Sequence, residues 1–367
     1  MCRWFNPTAG PLWRVNLRRS DDHSNQSRLE IRSLTSLLIG FGEHHDVPLS
    51  LSVPRRHLDT NATLVGMRPA EQQTDQFDPR LHEIRKLGES FYSALSYAAR
   101  QAAHPAEGSA AFELRKQQQQ WATGGWEHPV DDLFNFMRLY LFSSSDELLH
   151  ASASAPSMSL LGVDVAVRGS IETAAFAFDL AAPDLSDTER VGRGLRHRVW
   201  AEKEMLNLAF QKDSPLRTVA RHRIDRLSQH GHQLGLVRSQ KSREVARERT
   251  SATNACHALF EAARRTPASQ REDDLDVGAF LYRHFSSRSH ANPVALMEWS
   301  ERSGPANDEG HARFAKEVAA TATSVLYAVN ALTAAVVRCA NFMGHPAKLF
   351  DRSDEMSRLR ELADSND

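Results

Sequence analysis

Residues 160–180 read LLGVDVAVRGSIETAAFAFDL, and this stretch decides the fold. It is too long for a strand of ordinary length. Its charges are Asp164, Arg168, Glu172 and Asp179. At about 100° per residue these four fall within roughly 80° of one another, on one narrow stripe of a helix. A helix that is apolar on its remaining faces belongs in a core. The expectation is a helix from about Ser159 to Leu180 that meets solvent only along that stripe.

Outward from this helix the same period recurs. Leu81, Ile84, Leu87, Phe91, Leu95 and Ala98 follow one another at spacings of three and four. Asp78-Pro79 opens that helix, and Pro105 and Gly108 close it. Further helices are expected at about 110–121, from Pro129 to about His150, at 187–211, and from Pro215 to about Leu234. Others follow at 252–265, 274–288, 293–302, 308–342 and 346–363. The Gln117–Gln120 run reads as a solvated face. Ala151–Ser157, rich in Ser, Ala and Pro, reads as a linker and a possible sub-boundary. No strand-like alternation and no internal repeat is found. The fold expected is all-α, a multi-helix bundle with a long buried helix in its C-terminal region.

Residues 1–66 read as an irregular N-terminal extension, in which only Arg28–Leu38 is helix-prone; residues 67–367 carry the bundle. Met1 to Arg18 contain no apolar run of the kind a secretory signal needs. Val318–Val337 is uncharged and long enough to span a bilayer. It carries Thr321, Thr323, Ser324, Asn330 and Thr333 among many alanines, which suits a tightly packed core helix. The expectation is no membrane partner.

The chain has 367 residues, 41% hydrophobic and 25% charged, with 45 Lys+Arg against 46 Asp+Glu. This excludes wholesale disorder and fibrous repeats. Cys2, Cys256 and Cys339 are odd in number and never paired as C-x-x-C, which excludes a disulfide framework and a thiolate zinc site and suits a reducing cytoplasm. Helical carboxylate metal sites need Glu-x-x-His on facing helices; Glu147-Leu148-Leu149-His150 has no second copy. From Thr188 to Thr250 there are 15 Lys+Arg against 7 Asp+Glu, a surplus suited to an acidic partner. His222, His230 and His232 lie within it.

The segment with most chemical content is Tyr282-Arg283-His284-Phe285-Ser286-Ser287-Arg288-Ser289-His290. Arg283 and His290, seven residues apart, differ by about 20° on a helix and lie roughly 10 Å apart along its axis. Ser287 shares that face, and His284 falls on the apolar side. Arg217–His222 and Arg226–His232 have comparable spacings. The Arg283–His290 pair is set apart by its place at a helix end before Asn292-Pro293, and by the charged stripe on an earlier apolar helix. This spacing resembles the R-x(4–6)-H motif of the HEPN superfamily. Those proteins are all-helical, and many are metal-independent ribonucleases of toxin and antiviral systems. The chain is also similar, over about residues 160–340, to helical proteins of actinobacteria in which a Val167-Arg168-Gly169-Ser170-Ile171-Glu172-Thr173-like helix precedes a Tyr-Arg…Ser…His segment.

The resemblance implies RNA as partner, a homodimer that shares the site, no cofactor and no metal. It implies Arg283, His290, Glu172 and Arg168 as the catalytic set. The alternative is a non-catalytic helical interaction or regulatory protein, in which the Arg168–Glu172 stripe is a structural ion-pair ladder. Whether the chain is an enzyme stays open at this level. Residues 1–66 lack a sustained apolar face, so a chain starting at Met67 is expected to melt within a few degrees of the full-length protein, as read by circular dichroism at 222 nm.

Overall fold

Asp78 starts the first helix as its sequence predicts. Its Oδ1 accepts from the Arg80 backbone N–H at 2.9 Å, and Pro79 fills the first helical position, where no donor is needed. The computed structural model describes residues 78–101, 104–123, 125–156, 160–209, 215–264, 277–289, 318–345 and 352–365. Among them are α1 (Pro79–Gln101), α2 (Ala110–Lys116), α3 (Pro129–Ser154), α4 (Leu160–Leu180), α5 (Asp187–Ala209) and α6 (Pro215–Gln233). After these come α7 (Ser242–Arg247), α8 (Ala252–Arg264), α9 (Val277–Ser289), α10 (Val318–Met343) and α11 (Ser353–Ala363). No strand occurs among the described residues, only an isolated bridge between Thr123 and Trp126. The protein is therefore all-α. The expected extension 1–66 and the expected helix 293–302 lie outside the described residues, as do 308–317 and 346–351.

Four helices close a ring: α1 packs on α3, α3 on α4, α4 on α10, and α10 back on α1. Helices α8 and α9 pair with each other and cover a further side of α4. Helices α5, α6 and α7 form a layer against α3, and α11 lies on α10 and α1.

Small residues permit the close approaches. Ser144 on α3 and Ser170 on α4 are both fully buried and bond reciprocally. Ser144 Oγ donates to the Ser170 carbonyl at 2.8 Å, and Ser170 Oγ donates to the Ser144 carbonyl at 2.9 Å. Helix α10 buries Ala322, Ala328, Ala331 and Ala335 together with Val325, Val329, Leu332 and Val336. It is long and apolar enough to cross a membrane by length and composition, and more than half of its most apolar window is buried in the bundle. Gly344 ends it with φ +81°, a conformation that costs glycine little. A Cβ there would also press on Ser109. The α1–α2 connection docks on this end, where the Ala106 N–H donates to the Met343 carbonyl at 2.8 Å.

Three sequence expectations change. Helix α3 runs on through Ala151–Ser154, the first part of the expected linker, because Ala151 and Ser152 are buried and Ser152 Oγ donates to the Leu148 carbonyl at 2.8 Å. The stretch expected as one helix at 110–121 divides: a 3-10 turn, Gln118–Trp121, follows α2 and tucks Trp121 into the core. Helix α7 is an addition, since six residues are too few to show a period.

Gly88 on α1 faces Ser152 on α3 so closely that a Cβ would overlap Ser152 Oγ and Cβ. Gly88→Val is expected to lower stability by about 1–3 kcal/mol in chemical denaturation, and Ser152→Gly in the same chain to recover part of it.

Candidate functional site

Helix α4 presents Arg168 and Glu172 one turn apart, with side chains 20% and 28% exposed. Arg168 Nη2 lies 3.7 Å from Glu172 Oε2. From α9, the Tyr282 ring covers the guanidinium, its centroid 5.5 Å from Arg168 Cζ, and its hydroxyl accepts from Nη2 at 3.5 Å. Cys256 of α8 is buried beside this seam. Burial pushes its thiol up to about 12; the Glu172 charge adds to the rise and Arg168 opposes it. A thiol in that state is a packing group and not a nucleophile at neutral pH.

The structure thus brings Arg168 and Glu172 together and partly buries them. It brings Tyr282, not its neighbour Arg283, against them. Arg283 is exposed, about 100° around the helix from Tyr282. His290 lies outside the described residues. His284 rests edge-on against Phe285, which is buried with Leu281 in the core.

The rest of the charged stripe differs from expectation: its ends do not meet solvent. Asp164 is fully buried and accepts from Ser324 Oγ of α10 at 2.9 Å. Asp179, also buried, pairs with Arg193 of α5 and accepts from Thr250 Oγ1 at 2.9 Å. An ionised carboxylate out of water is tolerated only when paired or hydrogen-bonded. The stripe therefore points at neighbouring helices, which supply the partners.

Next to the seam lies a second polar group without a sequence signal. Tyr140 Oη of α3 and His197 Nδ1 of α5 share a 2.7 Å hydrogen bond, and both rings pack on Phe176 of α4, each at 5.4 Å between centroids. Arg249 lies between two rings, its Cζ 4.5 Å from the Phe176 centroid and 4.0 Å from that of Trp200. Burial lowers the His197 pKa to about 3, with the Arg249, Arg193 and Arg196 charges adding to the effect. Burial likewise pushes the Tyr140 phenol well above its ordinary value. Near neutral pH this pair is uncharged and does not exchange protons. Only Tyr282, next to Arg283 in sequence, could have been guessed. Tyr140, His197 and Arg249 meet across long sequence separations and leave no local pattern.

Part of the basic surplus of 188–250 is taken up inside the fold, while Arg221, Arg226, Arg238, Lys241, Arg243 and Arg247 stay exposed. Arg190 donates to the Leu180 and Ala182 carbonyls at 2.9 and 2.8 Å, closing the C-terminus of α4. Arg193 takes Asp179, Arg196 approaches Glu248 at 3.6 Å, and Arg198 bridges Asp132 and Glu202. Among the described residues no group of three or more His, Cys, Asp or Glu is placed to hold a metal ion. Set beside protein-family models, curated proteins and solved structures, the chain finds no match in any of the three. Fold and site together define an all-helical, multi-helix protein with a half-buried charged seam between α4 and α9.

His197 is uncharged in the fold and takes a proton readily once unfolded. Its contribution to stability is complete above about pH 6.5 and declines as pH falls from there toward 3. Stability is expected to drop by up to roughly 1.4 kcal/mol per pH unit below pH 6. His197→Gln should flatten the slope between pH 6.5 and 5 in urea titrations, whereas His222→Gln, on the exposed face of α6, should leave it unchanged.

Proposed function

We propose that this protein is HEPN-like, an RNA-binding or metal-independent RNA-cleaving protein of the kind found in toxin and antiviral systems. The observation that carries the reading is the seam itself. The helix bearing Arg283 packs on the helix bearing Arg168 and Glu172, with Tyr282 laid over Arg168. Exposed Arg283 is free to meet solvent-borne phosphate. Guanidinium is a fixed fork for a phosphate's oxygens, and imidazole titrates in the range a proton relay needs.

The chemistry is transesterification within RNA. A ribose 2′-OH loses its proton to a base, its oxygen bonds to the adjacent phosphorus, and the P–O5′ bond breaks as that oxygen takes up a proton. His290 serves as base or acid, and Arg283 holds the charge that builds on the phosphoryl oxygens. A homodimer that places two such pairs in one cleft supplies base and acid together. On this reading Arg168, Glu172 and Tyr282 position α9.

A second reading, a non-catalytic interaction or regulatory protein, is favoured by a specific observation: Asp164, Arg168, Glu172 and Asp179 each have a partner inside the fold. One experiment separates the two. Wild type is expected to degrade RNA in buffer containing a chelator, His290→Ala to abolish cleavage with an unchanged melting temperature, and Glu172→Ala to lower stability. Removing one partner of a half-buried pair costs about 3 kcal/mol or less, since partial exposure screens it. Full RNA cleavage by His290→Ala, or none by wild type on any RNA tested, leaves the interaction protein as the reading.

A further inference from the structure

Away from the seam, the turn carrying Thr123 and Gly125 faces α6 across a cavity of about 240 Å³. On α6, Arg223, Arg226, His230 and Gln233 succeed one another at spacings of three and four, so one helical face forms a wall. Gln229 adds a further amide. Among the described residues no carboxylate lines the space; their polar side chains there are guanidinium, amide, imidazole and hydroxyl.

The walls are held before any ligand arrives. Thr123 and Trp126 exchange backbone hydrogen bonds of 3.1 and 2.7 Å, fixing the turn. Behind the turn, Trp126 Nε1 donates to Asp132 at 2.9 Å, and Asp132 pairs with Arg198. Arg198 donates to Glu202 at 2.9 Å, and Glu202 holds Arg223 at 3.2 Å. This relay of alternating charge runs from the turn to the cavity wall and balances itself. The remainder is unbalanced. Arg226 has no carboxylate partner among the described residues. His230 lines the cavity with its other ring atoms, because its Nε2 is shielded from solvent.

A cavity lined by two guanidinium groups, one of them without a carboxylate partner among the described residues, and by amides and a hydroxyl fits an oxyanion. Paired arginine forks fit phosphate geometry best. The volume falls below the 300–1,000 Å³ typical of sites for drug-sized ligands, so the anion is small. We propose that the cavity between the turn carrying Thr123 and Gly125 and α6 binds a small phosphate monoester, with Arg226 as its principal ligand and Arg223 as a preset second. The proposal uses none of the residues of the RNA reading and stands or falls separately from it.

The test is calorimetric titration of the full-length protein with inorganic phosphate and with ribose 5-phosphate, using ribose, acetate and a short single-stranded RNA as comparisons. Saturable binding of both phosphates is expected, with ribose and acetate inert. Arg226→Gln should weaken binding by roughly tenfold or more. Arg226 is exposed, so its variant should keep the wild-type melting temperature without ligand. Arg221→Gln, an exposed arginine of the same helix that does not line the cavity, should bind like wild type. No saturable phosphate binding overturns the proposal. So does equal weakening by Arg221→Gln, which marks diffuse electrostatics, equal binding of acetate, or binding of the RNA alone.

Discussion

Helix α4 carries four charges into the middle of the bundle, and the surrounding architecture follows from satisfying them. An unpaired charge there costs several kcal/mol, a large share of the stability of an ordinary domain. Glu172 pairs with Arg168 one turn away on α4 itself, and the other three are met from different directions. Asp164 is met by Ser324 of α10, Arg168 by Tyr282 of α9, and Asp179 by Arg193 of α5 and by Thr250 just ahead of α8. These contacts set the rotation of α4 and the register of its neighbours. Apolar packing alone tolerates small slides; a buried carboxylate with one hydroxyl in reach does not.

Arginine does much of the internal joining. Arg190 binds the carbonyls at the end of α4 and lies 4.3 Å over the Phe342 ring of α10. Arg338 of α10 stacks on Phe178 of α4 at 3.3 Å, and Arg249 fills the space between Phe176 and Trp200. A guanidinium suits this role because it is flat, weakly hydrated and able to donate in several directions. A near-neutral chain rich in arginine is thereby knit together, while other cations, Arg221, Arg243 and Arg247 among them, stay exposed. Arg226 at the cavity and Arg283 on the exposed side of α9 belong to that remainder, which is why functional readings converge on them.

The two regions differ in kind. The α4–α9 seam pairs its charges internally, with His197 and Tyr140 held uncharged by burial beside it. Arg283 lies at its exposed outer edge. The α6 cavity has a satisfied foundation, from Trp126 to Arg223, and an unsatisfied lip. A preset wall with unmet donors is the arrangement from which anion affinity arises, since little ordering remains to be done on binding.

Much of the fold was legible in the sequence. Spacings of three and four placed α1, α3, α4, α5, α6, α8, α9 and α10, because a helix that buries one face must repeat its apolar residues with the helical period. Asp78-Pro79 announced its helix for an equally local reason. The pairing of Arg168 with Glu172 was legible too, since four residues on a helix are neighbours whatever surrounds them. The direction of the α4 stripe was not: the same pattern serves a helix whose charges meet water and one whose charges meet Ser324 and Arg193. Nor did composition show that Arg190, Arg193, Arg196 and Arg198 turn inward, or that Tyr140 and His197 meet across 57 residues. Those are properties of how helices pack, and a partner supplied from another helix leaves no mark in the local spacing of the residue it meets. The sequence determined which segments are helical and which faces seek burial; tertiary structure alone decided which charges those buried faces would find.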